Sequence, residues 1–264
     1  MNSIRTRILH DLYYLPLCRR LIRRWAMRFE EGKVVTIPCG AARGRLWRVN
    51  HGFVSAYWLG VYELGVQRVL ASILWPGAIF YDVGANAGFF SVCAAQSVGT
   101  QGTVFAFEPE SRCVTVLLDL MSINGIANVR VVDSAVSDEC GVGWLLNGRD
   151  RSTSRLSTGA VDQGPAVRTS VTTLDEFAGT HAAPDVVKMD IEGGEVKALQ
   201  GASGLLHSAH PPTWLIEVHS KACRDAVERI LLVAGYRMWC VAESRLVTRR
   251  GNHLLAVAQP NGSL

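Results

Sequence analysis

The 264-residue sequence lacks the features of several large protein classes. It contains no run of about 20 consecutive apolar residues, the length that a membrane-spanning helix needs. The uncharged stretch Val69–Tyr81 covers only 13 residues and includes Pro76. We find no internal repeat and no sustained heptad, which excludes solenoids, collagens and coiled coils. Hydrophobic residues make up 48% and charged residues 19%, so we expect a large folded domain rather than a disordered chain.

The cysteines show neither a disulfide pattern nor a zinc-binding pattern. Seven are present, an odd number, and none belongs to a Cys-x-x-Cys pair. Cys93 and Cys240 lie beside apolar residues, where cysteine behaves as a small buried hydrophobe. We therefore expect a reducing, cytoplasmic location.

Excess positive charge is confined to the start of the chain. The net charge is +4, but residues 1–28 contain seven arginines and one aspartate, which leaves the rest of the chain at −2. A nucleic-acid-binding fold would carry basic residues across its main body. The sequence therefore predicts no nucleic-acid partner.

We separate a basic amphipathic segment, residues 1–33, from a main domain at 34–264. The apolar stretch Leu12–Cys18 has no small-residue cleavage site after it, which argues against a secretory signal. Two interpretations of the segment stay open. Residues 1–29 make peripheral contact with an anionic membrane, or the helix packs on its own domain or on a second subunit. Large apolar residues repeat every four positions along this helix, at Leu17, Leu21, Trp25 and Phe29.

From Ile79 onward, short apolar runs alternate with helical patterns, which is typical of a parallel α/β sheet. The predicted strands are Ile79–Val83, Thr103–Phe107, Val129–Val132, Val186–Asp190, Thr213–Val218, Tyr236–Val241 and His253–Ala258. The predicted helices are Val61–Leu74, Gly88–Ser97, Glu110–Asn124, Glu195–His207 and Lys221–Ala234.

One region breaks the alternation. The stretch Asn147–Gly164 is polar and rich in Gly, Ser, Thr and Arg, and its flanks look extended. Loops of this length in a compact domain are usually functional or disordered. We predict an inserted hairpin or loop near residues 143–173, with a mobile tip that either lies near the substrate or is plain surface disorder.

The strongest local motif is the turn that follows the first predicted strand. Asp82 ends the apolar run, and the loop from Gly84 through Asn86 to Gly88 leads into a helix. Gly84 would allow a tight turn and close approach to a ligand, while Gly88 would let the helix pack closely on the strand. Backbone N–H groups at the helix start suit a carboxylate or a phosphate.

The spacing of this loop separates two cofactor classes. It does not fit the Gly-x-Gly-x-x-Gly pattern of dinucleotide sites, and Asp82 would repel a diphosphate but attract an ammonium group. The amino-acid end of S-adenosyl-L-methionine carries both an ammonium and a carboxylate group and fits better. An NAD-dependent oxidoreductase is the weaker alternative.

The next two strands end in further polar residues. Glu108 lies 24 residues after Gly84, near the spacing at which an acid binds ribose hydroxyls. Asp133 and Ser134 are placed to accept the amino hydrogens of adenine. The alternatives are that Glu108 caps a helix and that Asp133 serves only a turn.

Four ionisable residues follow the fourth and fifth predicted strands: Asp190, Glu192, Glu217 and His219. The carboxyl ends of parallel strands meet at one edge of the sheet, where ligands bind. We predict that His219 or Asp190 is a general base and that Glu217 holds His219 or the acceptor. A base with a near-neutral pKa favours His219. The four could alternatively hold a divalent metal, but no compact ligand motif supports that, so we predict no metal.

With these motifs in view, residues 59–220 resemble the FkbM-type family of S-adenosylmethionine-dependent methyltransferases. The resemblance rests on several motifs in order, although Gly194 stands where many members carry alanine. It is carried by Gly60-Val61-Tyr62-Glu63, Asp82-Val83-Gly84-Ala85-Asn86-Ala87-Gly88, Ala106-Phe107-Glu108-Pro109, Thr173-Leu174-Asp175, Lys188-Met189-Asp190-Ile191-Glu192-Gly193 and Ile216-Glu217-Val218-His219.

The resemblance implies a Rossmann-like class I fold, with a seven-stranded, mostly parallel sheet, helices on both faces and an antiparallel last strand. It also implies O-methylation of a sugar, glycolipid or polyketide hydroxyl, with Glu63 and Glu192 near the acceptor. Methylation of a nucleobase amine is disfavoured, because its Asn/Asp-Pro-Pro-Tyr turn is replaced here by an acidic one. Transfer to another amine or to a metal-assisted hydroxyl, and a non-catalytic S-adenosylmethionine-binding protein, stay open. The sequence leaves the oligomeric state undetermined.

Overall fold

The computed structural model describes residues 16–147, 154–157, 166–242 and 252–259. The helices in these ranges are α1 (Pro16–Ala26), α2 (Ala56–Leu59), α3 (Leu64–Ile73), α4 (Phe89–Val98), α5 (Ser111–Ile123), α6 (Leu174–Thr180), α7 (Glu195–Gln200), α8 (Ser203–Leu206) and α9 (Lys221–Val233). The strands are β1 (Val34–Thr36), β2 (Leu46–Arg48), β3 (Ile79–Val83), β4 (Thr103–Phe107), β5 (Val129–Val132), β6 (Ala135–Val136), β7 (Gly141–Asn147), β8 (Ser154–Ser157), β9 (Ala166–Thr172), β10 (Val186–Met189), β11 (Thr213–Glu217), β12 (Tyr236–Cys240) and β13 (His253–Ala258).

Seven strands form the central sheet in the order β12-β13-β11-β10-β3-β4-β5. The last strand, β13, lies between β11 and β12 and is antiparallel to both. The other neighbouring pairs are parallel. This arrangement confirms the predicted fold class, including the antiparallel last strand. The predicted strands are present, and three of them end one residue earlier than the apolar pattern indicated.

The sheet is buried on both faces, which explains why its strands are continuous apolar runs in the sequence. Phe80 packs into one hydrophobic cluster, and its neighbour Tyr81 packs into the other. Successive side chains of a strand point to opposite faces, so one strand contributes to both clusters. The helices α4 and α5 supply buried residues to the first cluster, and α7 and α9 supply them to the second.

The helix predicted at Glu195–His207 is instead two short helices, α7 and α8. A Cβ at Gly201 would lie 2.2 Å from the carbonyl oxygen of Ser137, so the chain passes too close to that strand end for a larger residue. The Asp175 carboxylate accepts the N–H groups of Gly204 and Leu205 and caps the second helix. The prediction failed because the break depends on residues distant in sequence.

Part of the apolar stripe predicted for the N-terminal helix α1 packs on the domain, and part of it is exposed to solvent. Ala26 is fully buried, and Ile22 and Phe29 pack against the first hydrophobic cluster. Leu21 and Trp25 are 65% and 52% exposed. No helix in the described part of the chain is long and apolar enough to cross a membrane.

Two smaller sheets lie beside the central one. The hairpin β1–β2 was not predicted, because three-residue strands carry too little periodicity to recognise. The region predicted as an insertion contributes three strands to a four-stranded sheet in the order β6-β9-β7-β8. Its predicted mobile tip falls largely outside the described residues.

Candidate active site

The loop between β3 and α4 is held by hydrogen bonds from its backbone N–H groups. Each of the five N–H groups from Gly84 to Gly88 donates a hydrogen bond inside the chain. The acceptors are the carbonyl oxygens of Phe107 and Ala85, the Glu108 carboxylate and the Asn86 side chain. The loop is therefore already shaped, and its five N–H groups are used inside the chain. The N–H groups predicted to face a ligand carboxylate, at the helix start from Phe89 onward, are not among these five.

Gly84 and Gly88 are required for close packing. Both have positive φ angles, of 82° and 84°. A Cβ at Gly84 would lie 1.9 Å from the carbonyl oxygen of Asp190, and one at Gly88 would lie 2.9 Å from Leu117 Cγ. Gly84 thus brings the ends of β3 and β10 together, and Gly88 packs against α5 rather than against its own strand.

Asp82 lies beneath the site and is fully buried. The Ser91 hydroxyl donates to its Oδ2 at 2.6 Å, and the Lys188 ammonium group lies 3.8 Å from its Oδ1. Burial raises the pKa of Asp82, although Lys188 and Ser91 oppose the shift. Asp82 does not line the cavity described below.

Glu108 faces the site from the end of β4. It is 7% exposed, and its two oxygens accept the N–H groups of Asn86 at 2.7 Å and Glu110 at 2.9 Å. Burial raises its pKa to about 7, although these two hydrogen bonds lower it. Each carboxylate oxygen can accept a further hydrogen bond, so Glu108 can still receive a pair of hydroxyl groups.

One cavity of about 490 Å³ connects these elements. Gly84, Asn86 and Glu108 line one part of it, and Asp190 and Glu192 line another. Ser134 also lines the cavity, whereas Asp133 is exposed and lies outside its lining. The volume falls in the range of about 300–1,000 Å³ that is usual for small-molecule sites.

His219 lies among three carboxylates. Its Nδ1 is 2.8 Å from Glu195 Oε1, and its Nε2 is 3.4 Å from both Asp190 Oδ1 and Glu192 Oε2. Burial lowers the pKa of His219, but the Glu195 hydrogen bond and the nearby carboxylates outweigh it and raise the pKa to about 9. The imidazole is therefore protonated at neutral pH, contrary to the near-neutral pKa expected from the sequence.

Asp190 is the carboxylate of this group that both lines the cavity and contacts a lysine. Its Oδ2 lies 3.6 Å from the Lys188 ammonium group. Burial raises the pKa of Asp190, while Lys188 and His219 oppose the shift and Glu217 adds to it. The net pKa shift is upward, which makes this carboxylate a better proton acceptor than an exposed aspartate.

The sequence analysis assigned no role to Lys188, which stands in a quoted motif, or to Glu195, which begins a predicted helix. The Glu195 side chain is fully buried, accepts the Gly193 N–H and anchors His219. Lys188 is 2% exposed and lies between Asp82 and Asp190. A lysine within the otherwise apolar strand β10 is a signal that could have identified it.

Glu217 contacts a different histidine from the one expected. Its Oε2 lies 3.4 Å from His253 Nε2, and Glu63 Oε2 lies 3.4 Å from the same nitrogen. His253 is the register partner of Glu217 across β11 and β13. Two groups of possible metal ligands result, Glu63–Glu217–His253 and Asp190–Glu192–His219, each with donor atoms within 4.8 Å of one another.

Backbone strain is concentrated at this site. Within the described residues, the non-glycine positions with positive φ are Glu63, Asn86 and Glu192, at 40°, 50° and 55°. Such conformations cost about 1–3 kcal/mol each and persist where surrounding structure enforces them. All three residues were candidate site residues from the sequence.

The comparisons with known proteins agree with this geometry. A family model described as a methyltransferase FkbM domain matches residues 82–238, more than half of the chain. A search of curated proteins finds no significant match. Because sequence identity to the solved structures is low, their similarity supports the fold alone.

Two of the solved structures illustrate the similarity. A methyltransferase FkbM from Methylobacillus flagellatus KT has a TM-score of 0.51 and 14% identity, over 92% of this chain and 60% of that one. This chain therefore spans less than two thirds of that protein. An S-adenosylmethionine-dependent O-methyltransferase from Thermotoga maritima has a TM-score of 0.49 and 12% identity, over 89% and 88% of the two chains.

Proposed function

This chain belongs to the FkbM methyltransferase family, and from that premise we propose that it methylates a hydroxyl group with S-adenosylmethionine as the methyl donor. The acceptor class that we propose is a sugar, glycolipid or polyketide-type natural product. A single observation carries the proposal: one cavity is lined both by the Gly84–Glu108 corner and by the Asp190–Glu192 carboxylates. A nucleoside donor and an acceptor hydroxyl can meet in such a space.

The residues of the first corner fit an adenosyl amino acid. The Glu108 carboxylate would bind the ribose hydroxyls, and Ser134 lines the cavity where the adenine is expected. Asn86 is held in a strained left-handed conformation and donates its N–H to Glu108. We place Asp82 as a support that fixes Lys188 and Ser91 beneath the site rather than as a group in direct contact with the ammonium.

Bound S-adenosylmethionine would supply an electrophilic methyl group on a sulfonium. In the transfer, the sulfur–methyl bond breaks, an oxygen–methyl bond forms, and the hydroxyl proton must leave. We assign that proton to Asp190, because Asp190 lines the cavity and His219 does not. Glu192 would orient the acceptor from the same part of the cavity. Aligning the acceptor in a dry site can supply a large share of the rate.

Three residues position Asp190, and one of them, Lys188, also lines the cavity. The Lys188 ammonium group contacts Asp190 Oδ2, and the protonated His219 ring contacts Asp190 Oδ1. Glu195 accepts a hydrogen bond from the other nitrogen of His219. Two positive charges on one carboxylate fix its orientation.

The test of the proposed function is to incubate the purified protein with S-adenosylmethionine and a panel of hydroxylated sugars, glycolipids and polyketides. Mass spectrometry would detect S-adenosylhomocysteine together with a methylated product.

A methylated amine with no methylated hydroxyl would redirect the proposal to another acceptor class. Tight binding of S-adenosylmethionine without turnover on any acceptor would favour a non-catalytic binding protein. Failure to bind S-adenosylmethionine in calorimetry would reject the proposal altogether.

We further propose that α1 holds the protein at an anionic membrane, where a lipid-linked acceptor would be found. Leu21 and Trp25 are exposed on this helix, together with Arg20, Arg23 and Arg24. Exposed aromatic and basic residues on one amphipathic helix are typical of segments that lie in the headgroup region. The attraction is to acidic lipid headgroups.

A further inference from the structure

A second histidine–carboxylate cluster lies next to the proposed active site and has no role in the proposed function. It joins three elements that are distant in sequence. Glu63 precedes α3, Glu217 ends β11 and His253 begins β13. The three side chains are 15%, 17% and 4% exposed, and none of them lines the cavity.

The distances in this cluster suit a metal better than a hydrogen bond. Glu63 Oε2 and Glu217 Oε2 each lie 3.4 Å from His253 Nε2. Good N–H···O bonds have donor–acceptor distances of about 2.7–3.2 Å, and one ring N–H cannot point at two oxygens at once. Ligands about 2.0–2.1 Å from a tetrahedral zinc ion lie about 3.3–3.4 Å from one another.

The cluster and its surroundings also contain more carboxylates than cationic groups, which favours binding of a cation. Within the described residues, the ion pairs of Glu63 and Glu217 go to His253 alone. Among the described residues, the ion pairs of this region join six carboxylates to three groups that can be cationic, Lys188, His219 and His253. The carboxylates are those of Glu63, Asp82, Asp190, Glu192, Glu195 and Glu217. With all six carboxylates ionised and both imidazoles protonated, the region carries a net charge of −3, which a divalent cation would reduce to −1. Little-exposed negative charge is costly unless it is paired.

The other cluster of possible ligands is already neutralised in part. Asp190 contacts both Lys188 and His219, and Glu192 contacts His219. A lysine ammonium group 3.6 Å from Asp190 Oδ2 would repel a metal ion placed there. Among the described residues, no lysine or arginine nitrogen lies within 4.0 Å of a Glu63 or Glu217 oxygen, and both carboxylates act on Lys188 only from a greater distance.

We propose that Glu63, Glu217 and His253 bind one divalent transition-metal ion, with Zn²⁺ as the best match. Two carboxylate oxygens and one imidazole nitrogen form a mixed donor set that suits zinc, whereas Mg²⁺ requires near-octahedral oxygen coordination. Three protein ligands leave a fourth position for water. The ion joins the start of α3 to strands β11 and β13 and holds Tyr62, the neighbour of Glu63, in the cavity wall.

The test measures metal binding to the full-length protein without donor or acceptor. The protein is stripped with EDTA and titrated with ZnSO₄ in a calorimeter, and CoCl₂ is used as a spectroscopic probe of tetrahedral coordination. We expect one tight site per chain and a tetrahedral Co²⁺ spectrum. His253→Ala and, separately, Glu63→Gln should each weaken Zn²⁺ binding by at least about 100-fold, because each removes a direct ligand.

His219→Ala is the discriminating control and should leave Zn²⁺ affinity unchanged. Loss of Zn²⁺ binding in His219→Ala with retention in His253→Ala would move the metal to the other cluster and overturn the proposal. The absence of any tight Zn²⁺ site would show that His253 is an ordinary ion-pair partner. If His253→Ala does not fold, Glu63→Gln decides, because it keeps the size of the side chain. S-adenosylmethionine binding is measured separately, so failure of the metal site leaves the proposed function standing.

Discussion

The ammonium group of Lys188 lies 3.8 Å from Asp82 Oδ1, and the two residues are register partners on adjacent parallel strands of the buried sheet. Replacing Lys188 with Met leaves the carboxylates of Asp82 and Asp190 without their lysine. We expect the free energy of unfolding to fall by about 3–5 kcal/mol, the cost of breaking a buried pair from one side. Urea denaturation of both proteins measures this difference in the free energy of unfolding.

Lys197→Met is the matched control for this prediction. Lys197 also pairs with an aspartate, Asp138 at 3.3 Å, but its side chain is 52% exposed. Exposed pairs contribute about 0–1 kcal/mol, so the control should lose little stability. Equal losses in the two variants would contradict a special role for the buried pair.

Glu108 should control donor affinity in a pH-dependent way. Its pKa is raised to about 7, and the ionised carboxylate is the form that accepts two hydroxyl hydrogens. Affinity for S-adenosylhomocysteine should therefore increase as the pH rises through about 7. Glu108→Gln should weaken binding about 10- to 100-fold and flatten the pH profile. Calorimetry between pH 5.5 and 8.5 tests both effects, and Asp133→Asn, outside the cavity, should change neither.

The same carboxyl group affects the stability of the ligand-free protein in the opposite direction. Burial raises its pKa from 4.5 to about 7 in the folded state. Its favourable contribution is complete below the unfolded value of 4.5 and is lost as the pH rises through the folded value. We expect Glu108→Gln to gain stability relative to the unmodified protein as the pH rises from 5 to 8. A stability difference that does not change with pH would contradict the raised pKa.

Asp190 should dominate the chemical step. Asp190→Asn removes the proposed proton acceptor and should lower kcat at least about 100-fold, with donor affinity retained. His219→Ala should also slow the reaction, but less. The surface variant Asp225→Asn controls for the loss of an acidic residue. A much larger loss of kcat in His219→Ala than in Asp190→Asn would transfer the role of base to the histidine.

Gly84 should tolerate no side chain. Gly84→Ala adds a Cβ that would meet the Asp190 carbonyl oxygen at 1.9 Å, in addition to the cost of a positive φ. We expect a loss of at least about 3 kcal/mol in the free energy of unfolding. Gly125→Ala shares the positive φ but meets no atom within 4 Å, so it should lose about 1 kcal/mol. Thermal denaturation compares the two, and similar losses would mean that the close contact is relieved by a small shift.

The arginines of α1 should determine membrane affinity. Arg23→Glu combined with Arg24→Glu should reduce cosedimentation with vesicles that contain phosphatidylglycerol at least about 10-fold, since each basic residue contributes about 1 kcal/mol. Arg229→Glu with Arg237→Glu makes the same change in net charge elsewhere and should bind as the unmodified protein does. Equal binding of all three proteins, or equal binding to neutral vesicles, would remove the membrane proposal.

The strands of the central sheet could be predicted because burial on both faces leaves a direct trace in the sequence. Ile79–Val83 and Thr103–Phe107 are short apolar runs whose bounds follow from the order of apolar and polar residues. Asp82 is the second-to-last residue of the first run, and Glu108 directly follows the second. The break at Gly201 could not be predicted in this way. It depends on the Ser137 carbonyl and the Asp175 carboxylate, which only the folded chain brings near.

In the candidate site, too, some features could be predicted from the sequence and others could not. The residue types at the strand ends were predicted from the sequence, since acids and glycines there interrupt an apolar pattern. Their partners were not, because pairing across a sheet depends on strand order and register. Glu217 was expected to hold His219, yet the antiparallel β13 brings His253 beside Glu217. Glu195 reaches His219 from α7 instead.

The four-stranded side sheet contributes Leu145, Leu156 and Ser157 to the cavity wall, whereas the Gly84–Glu108 corner belongs to the central sheet. Substitutions in the side sheet can therefore change one wall of the cavity without changing the Gly84–Glu108 corner. Under the proposed function, exchanging residues 143–173 between relatives should change which acceptor is methylated and leave S-adenosylmethionine binding unchanged.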